Sequence, residues 1–276
     1  VQYSRGCPFD CTFCAGKSIW GKTYRFRQAA PVVDEIEMLI RDFGVREIFM
    51  GDDNFNLRTS HATDICEELM RREVKVPWAC PNGVRVDSLN PDLLALMKRS
   101  GCHLVGLGIE SGDQRVLDMA RKRLDLSIVP RVCQEIDRAG ITAVGFFVLG
   151  LPGDTRETIE KTMRFSRELP LKRAWFNILA PYPGSELFEV YLRNRNISSL
   201  EWRALDTCGD DVAQMSEVSP VELDRLQKKA AFLFYSRPRI LLDLLLSQRP
   251  ATVVSLLRTR FVQKALGRGR DAGTVS

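Results

Sequence analysis

The sequence predicts an α/β fold: six short parallel strands alternating with helices, curled into three-quarters of a β/α barrel and followed by a helical C-terminal extension. Three observations point there. Short β-type runs alternate with amphipathic helical runs over the first 185 residues, the pattern of parallel strands joined by helical crossovers. Right-handed crossovers curl such a sheet toward a barrel, and six units fall short of the usual eight. The stretches that packing explains least, CPFDCTFC, GDDN, ESG, GLPGD and APYPG, all follow strands, the end of a β/α barrel that carries chemistry.

The elements run as follows. VQYSRG (1–6) is a first strand entering the cysteine loop. In PVVDEIEMLIRDFG (31–44), apolar residues at 32, 33, 36, 39, 40 and 43 make a helical stripe that Gly44 ends. REIFMGDD (46–53) is the second strand, HATDICEELMRR (61–72) a helix, and VPWACPNGVRVD (76–87) holds the third strand. Asn90 and Pro91 open a helix as N-cap and first residue, and Gly101 closes it. HLVGLGIES (103–111) is the fourth strand, and 113–120 and 127–139 are helical, ending at Gly140. ITAVGFFVLGLPGD (141–154) is the fifth strand and its loop; Asp154 with Glu157 resembles a capping box for a helix through Leu169. KRAWFNILAPYPG (172–184) is the sixth strand and a turn. Ser219-Pro220 opens a helix that Pro238 interrupts, ILLDLLL (240–246) follows, and residues 251–266 place Val254, Leu257, Phe261 and Ala265 on one face. Two domains are expected: a barrel core over 1–210 and a helical extension over 211–276, whose tail GRGRDAGTVS reads as disordered.

With 276 residues and 45% hydrophobic content, the chain can bury a large core. Charged residues make up 27%, and no run of 18 apolar residues occurs, so no membrane-spanning helix is expected and the protein reads as cytoplasmic. The chain starts at Val1 rather than Met, so it reads as a fragment or as a chain with something removed upstream. Residues 237–276 carry eight Lys/Arg against two acids, a net of +6, which leaves the first 236 residues at −1 of the overall +5. A near-neutral body argues against a nucleic-acid surface and leaves a local basic feature at the C-terminus.

Cys7, Cys11 and Cys14 stand in the spacing CxxxCxxC, with Phe13 before the last. Three thiolates hold three irons of a four-iron, four-sulfur cluster, for which a full set is four. The open iron is then free to bind something else, which separates a reactive cluster from an electron carrier. A zinc site needs a fourth ligand, usually a nearby His or Cys. None follows, and the two histidines, His61 and His103, lie far off in sequence. A disulfide framework does not suit a long chain without a secretory signal. Cys66, Cys80, Cys102, Cys133 and Cys208 stand singly in apolar or mixed runs and read as small hydrophobes. Cys208, in DTCGDD, has a second reading as a thiol reaching the open barrel edge.

With CxxxCxxC, GIESG (108–112) and GLPGD (150–154) in view, the chain resembles the radical S-adenosylmethionine enzymes over residues 1–185. GDDNF (51–55), WACPNGVRVD (78–87), SGC (100–102), APYPGSEL (180–187) and FYSRPR (234–239) are similar to the branch that carries a cobalamin-binding domain before the barrel. That branch includes methylases, ring-forming enzymes and the anaerobic cyclase of chlorophyll synthesis. The resemblance implies a partial TIM-like barrel and a [4Fe-4S] cluster on Cys7, Cys11 and Cys14. It implies that S-adenosylmethionine chelates the open iron, and that one electron from the cluster releases a 5′-deoxyadenosyl radical for substrate modification. Phe13 then lies near the adenine, which the backbone from Val148 to Leu151 lines. Gly51, Asp52 and Asp53 occupy the place of the family's Gly-Gly-Glu, which receives the methionine amine; the sequence does not choose between the two carboxylates. Glu110, with Ser111 beside it, bonds the ribose hydroxyls. A small-molecule substrate and an electron donor such as flavodoxin or ferredoxin are implied partners. Cobalamin is implied only through a domain outside this chain, because the cobalt-ligand signature DxHxxG does not occur in it. Methyl transfer is the expected reaction, with anaerobic cyclisation or oxidation as the alternative.

Plainer readings stand beside these. A non-catalytic electron carrier generally fills all four cluster positions. GLPGD alone is a turn, and no GK[ST] follows to make it a phosphate loop. Asp52-Asp53 also suit a divalent cation, though no other clustered acids support one. Glu110 alone is an ordinary surface acid. The C-terminal segment reads as a cap over the barrel edge, or as a basic interfacial helix making weak contact with anionic membrane.

Overall fold

The computed structural model describes residues 1–195 and 215–247. The chain divides into two compact units, Val1–Phe234 and Tyr235–Ser276. Cys208, the amphipathic stretch 251–266, the tail and the expected boundary at 210/211 lie outside the described residues.

In the first unit, β1 (Ser4–Arg5) pairs antiparallel with β2 (Arg25–Phe26), and the short helix α1 (Gly16–Trp20) lies between them in sequence. Helix α2 (Ala29–Phe43) leads into a parallel sheet ordered β3 (Ile48–Phe49), β4 (Trp78–Val84), β5 (Cys102–Glu110), β6 (Thr142–Leu149) and β7 (Arg173–Ile178). The strands are followed in turn by α3 (Thr59–Arg71), α4 (Pro91–Arg99), α5 (Gln114–Met119) with α6 (Val129–Arg138), α7 (Arg156–Glu168) and α8 (Glu186–Arg195). Trp78, Val105, Leu107, Ile109, Phe147 and Leu149 are all fully buried, as befits parallel strands covered on both faces.

The sheet thus has five strands where six were expected, because the first strand is split. Val1 runs beside β3: its amine donates to Phe49 O (2.9 Å) and its carbonyl accepts from Gly51 N (2.7 Å), the two bonds of a parallel bridge. The chain then crosses to β2, where Arg27 N donates to Tyr3 O (2.9 Å). Gly6 ends this ribbon, where the chain passes close to the residues that lead into β2. Its φ is +90°, and a Cβ there would stand 2.2 Å from the Thr23 carbonyl oxygen.

Several helix ends follow their sequence signals. Gly44 is left-handed and its N–H donates to Ile40 O and Leu39 O, and the Asn90 side chain accepts from Leu93 N. The capping box of α7 is one residue later than expected. Thr155 Oγ1 accepts from Thr158 N (3.3 Å), and Thr158 Oγ1 accepts from Thr155 N (2.9 Å). Asp154 is thereby released for another task, described below.

Cys66, Cys80, Cys102 and Cys133 are buried, and burial pushes the Cys66 and Cys133 thiols up to about 12. They pack as small hydrophobes. His61 packs against Phe26, tilted with ring centroids 3.4 Å apart, and stacks on Tyr24, while His103 meets Glu47 at the surface (2.6 Å). Helix α9 (Pro220–Tyr235) lies along β7. Gln227 Nε2 donates to Phe176 O (2.7 Å), and Phe234 meets Phe176 edge-on. In the second unit, Pro238–Ser247 forms α10. Among the described residues, no helix is long and apolar enough to cross a membrane.

Candidate active site

The loops after β3, β4 and β5 meet the cysteine loop around a cavity of about 310 Å³, within the size range of small-ligand sites. Cys7, Cys11, Cys14, Phe13, Asp53 and Glu110 all line it. So do Asn54, Arg85 and Lys122, to which sequence reasoning assigned no role.

Backbone bonds pin the cysteine loop. Thr12 N donates to Ala120 O (3.0 Å) after α5, and Leu187 N in α8 donates to Thr12 O (3.1 Å). Cys14 N donates to Cys11 O (3.2 Å), and Gly16 N reaches Cys14 Sγ (3.3 Å). Burial raises the Cys11 thiol, with Lys122 opposing it; burial also raises Cys14, with the Gly16 N–H opposing it. Among the described residues, no three His, Cys, Asp or Glu side chains converge on a single-ion site. A cubane takes one thiolate per iron and needs no such convergence.

The two aspartates of the β3 loop face different ways. Asp52 is 1% exposed. Its carboxylate accepts from Tyr3 N (3.2 Å), Ser4 N and Ser4 Oγ (2.5 Å), tying the loop to the N-terminal segment. Burial raises its pKa against these donors. Asp53 lines the cavity, and burial raises its pKa too. Next to it, Asn54 Oδ1 is buried with no hydrogen-bond partner, so it is free to accept from a bound donor. Gly51 spends its N–H on Val1.

Glu110 ends β5 at a register shift against β6, with φ +66° although it carries a side chain. A buried residue held in left-handed backbone at an irregular strand end marks a place where geometry is bought with strain. Glu110 Oε1 accepts from Lys122 Nζ at 2.8 Å. Burial pulls the Lys122 ammonium down, but the Glu110 and Cys11 charges outweigh it and the net shift is upward. Ser111 turns the other way: its Oγ lies 3.3 Å from Thr162 Oγ1 and accepts from Asp113 N (3.1 Å).

Phe13 and Cys14 also line a second, more apolar cavity of about 350 Å³, together with Val148, Asn177, Leu179 and Tyr182. Leu151 is buried beneath, in a cluster with Val116, Ala120, Leu179 and Leu187 against which Phe13 and Val148 pack. Asp154 shapes this wall. Its Oδ2 accepts from Gly150 N (2.9 Å) and Leu151 N (3.0 Å), and its Oδ1 from Thr158 Oγ1 (2.8 Å). GLPGD is therefore a loop closed by its own aspartate.

Three thiols on one pinned loop, a shared cavity, an unpartnered acceptor and an acid–base pair opposite suit a cluster with a polar ligand on its open iron. Lys122 gave no sequence signal because it stands in a run of three bases, and nothing in the run marks which one turns inward. Arg85 is also opaque: it binds Asp87 two residues on (2.7 Å) while its guanidinium stacks on Phe9 (3.7 Å).

Residues 1–166 match the Radical SAM superfamily. The chain is 33% identical over 242 residues to an uncharacterized methyltransferase of Pyrococcus horikoshii, covering 88% of this chain and 52% of that protein. It is 33% identical over 188 residues to the anaerobic magnesium-protoporphyrin IX monomethyl ester cyclase of Rubrivivax gelatinosus, covering 68% of this chain and 34% of that protein. The chain thus spans about half of the first relative and a third of the second. Its fold is similar to the radical S-adenosylmethionine methyltransferase TsrM of Kitasatospora setae, solved with cobalamin and a [4Fe-4S] cluster bound. The TM-score is 0.66 at 20% identity, over 82% of this chain and 46% of that one. The matched region contains the three cysteines, the GDDN loop, Glu110 and Lys122, and with it the chain belongs to the radical S-adenosylmethionine superfamily.

Proposed function

We propose that this chain is the catalytic barrel of an enzyme that modifies a small molecule by radical chemistry, through methyl transfer with a cobalamin held outside this chain. One observation carries the reading: a single cavity is lined by Cys7, Cys11, Cys14, Phe13, Asp53, Glu110 and Lys122. The methyltransferase name of the Pyrococcus relative and the cobalamin in the TsrM structure support the methyl-transfer part. The cyclase relative supports a second reading, ring closure with the same cluster and S-adenosylmethionine.

Cys7, Cys11 and Cys14 hold the [4Fe-4S] cluster. When bound and reduced, the cluster supplies the one-electron cleavage of S-adenosylmethionine. Asp53 and the free Asn54 Oδ1 receive the methionine amine, while Gly51 and Asp52 hold the loop in place through their bonds to the N-terminal segment. Glu110 accepts from the ribose hydroxyls, as carboxylates do in dinucleotide sites. Ser111 acts behind it by fixing the turn into α5. Phe13 and Val148 give the adenine an apolar wall, with Leu151 packed beneath. The closed GLPGD loop and the buried leucines keep water from the reacting atoms.

The substrate approaches from the loops after β4, β6 and β7. The electron comes from a small carrier such as flavodoxin or ferredoxin, and the protein works in the cytoplasm. Nucleic acid is not a partner, because the body is near neutral.

The test is anaerobic reconstitution with iron and sulfide, reduction, and chromatographic assay for 5′-deoxyadenosine. The expected outcome is cluster-dependent product from the wild type and none from the Cys7→Ala, Cys11→Ala, Cys14→Ala triple variant. Equal product from both would refute the reading.

A further inference from the structure

Three of the four non-glycine residues with left-handed backbone among the described residues bracket one ion pair. They are Glu110 (φ 66°), Arg121 (φ 52°) and Arg123 (φ 50°), around Lys122 Nζ–Glu110 Oε1 at 2.8 Å. Left-handed backbone is costly for residues with a Cβ and persists only where the surroundings impose it. Here they do: Lys122 N donates to Leu117 O (2.9 Å), Arg121 N to Asp118 O (3.0 Å), and Arg85 Nη2 to Arg123 O (2.9 Å). The strain aims one long side chain inward, and the Lys122 side chain is only 18% exposed. Gly108 keeps the space clear. A Cβ on it would stand 2.7 Å from Glu110 Oε1 and 2.8 Å from Lys122 Nζ.

The other cation lining the cavity, Arg85, directs two nitrogens at Asp87 and stacks on Phe9. Lys122 alone of the two is paired to a group that also lines the cavity with the thiols. Three thiolates and an added electron concentrate negative charge at one site, so a fixed cation nearby lowers the cost of reduction.

We propose that Lys122 is the cluster's built-in counter-charge, a positioning residue that raises the reduction potential of the cluster held by Cys7, Cys11 and Cys14, with Glu110 both anchoring the ammonium and partly offsetting it. This rests on the cluster assignment above. It does not rest on any choice of substrate.

The experiment is a redox titration of the reconstituted protein without S-adenosylmethionine, followed by electron paramagnetic resonance, on wild type, Lys122→Met, Lys122→Arg and Glu110→Gln. At a fixed poise, Lys122→Met should show about tenfold less reduced cluster, equivalent to ~59 mV for one electron. Lys122→Arg should titrate near wild type, and Glu110→Gln should shift in the opposite direction. A Lys122→Met variant with full iron content and unchanged potential overturns the proposal and leaves the cluster assignment standing. If Lys122→Met fails to load, Glu110→Gln decides: an upward shift supports the proposal, and an unchanged or lower potential overturns it. A wild type that binds no cluster removes the assignment itself.

Discussion

Adjacent in sequence and identical in chemistry, Asp52 and Asp53 have opposite surroundings. One closes the fold against Tyr3 and Ser4; the other faces the cavity. A sequence cannot separate them, because the division depends on where the N-terminal segment crosses from β3 to β2. Asp154 makes the same point and yields a prediction. Burial lifts its pKa from 3.8 to about 6, against its three hydrogen-bond donors. The folded chain therefore binds more protons than the unfolded chain between those values. The group's stabilising contribution is present below about pH 4 and is lost as pH rises through about 6. Asp154→Asn keeps an acceptor for the two backbone N–H groups and removes the ionisation. It should cancel a stability loss on the order of 3 kcal/mol between about pH 4 and pH 7, read by denaturant unfolding of cluster-free protein across that range. A variant whose pH dependence matches wild type would refute this. The sequence marked Asp154 only as a helix cap paired with Glu157; that Thr155 and Thr158 form the cap and leave Asp154 to close GLPGD depends on the loop's path, which no local pattern encodes.

At the scale of elements, β5 does the most for the site. Its run HLVGLGIES (103–111) announced a strand, one residue later than the observed Cys102–Glu110, and GIESG marked its end. The register shift against β6 at Gly108/Glu110 was invisible, since it arises from neighbouring strands and not from any local pattern. Gly108→Ala tests the strand end. The added Cβ meets only the tips of Glu110 and Lys122, so stability should fall by less than about 1 kcal/mol while the pair is pushed aside. S-adenosylmethionine binding by the reconstituted protein, measured by equilibrium dialysis, should weaken at least tenfold, in keeping with the loss of charge-assisted hydrogen bonds. Unaltered affinity would contradict the placement of ligand groups at Glu110. Helix α9 supplies a second test. Phe234 is fully buried against Phe176, so Phe234→Ala should cost about 3–5 kcal/mol of stability. A loss under about 1 kcal/mol would show that α9 does not cover β7. The apolar spacing of α9 suggested a cap, but which strand it covers depends on contacts 51 residues apart in sequence, such as Gln227 to Phe176.

For the molecule as a whole, alternation of strand and helix was enough to indicate an open parallel barrel, whereas the five strand-end loops expected at one site divide between two cavities that share Phe13 and Cys14. The five-stranded sheet departs from six because the first strand leaves β3 after Val1 and pairs with β2 in a ribbon that leads into the cysteine loop. That diversion lets one loop present three thiols to the cavity formed by the strands. Reaction type belongs to a larger scale, because this chain spans only about half of the Pyrococcus relative and a third of the cyclase. The central claim is that Cys7, Cys11 and Cys14 hold a cluster whose fourth iron binds S-adenosylmethionine. The most direct measurement is the electron paramagnetic resonance spectrum of the reconstituted, reduced protein with and without that ligand. The account predicts a reduced-cluster signal that changes when the ligand is added. A signal indifferent to the ligand, or no cluster signal at all, would contradict it.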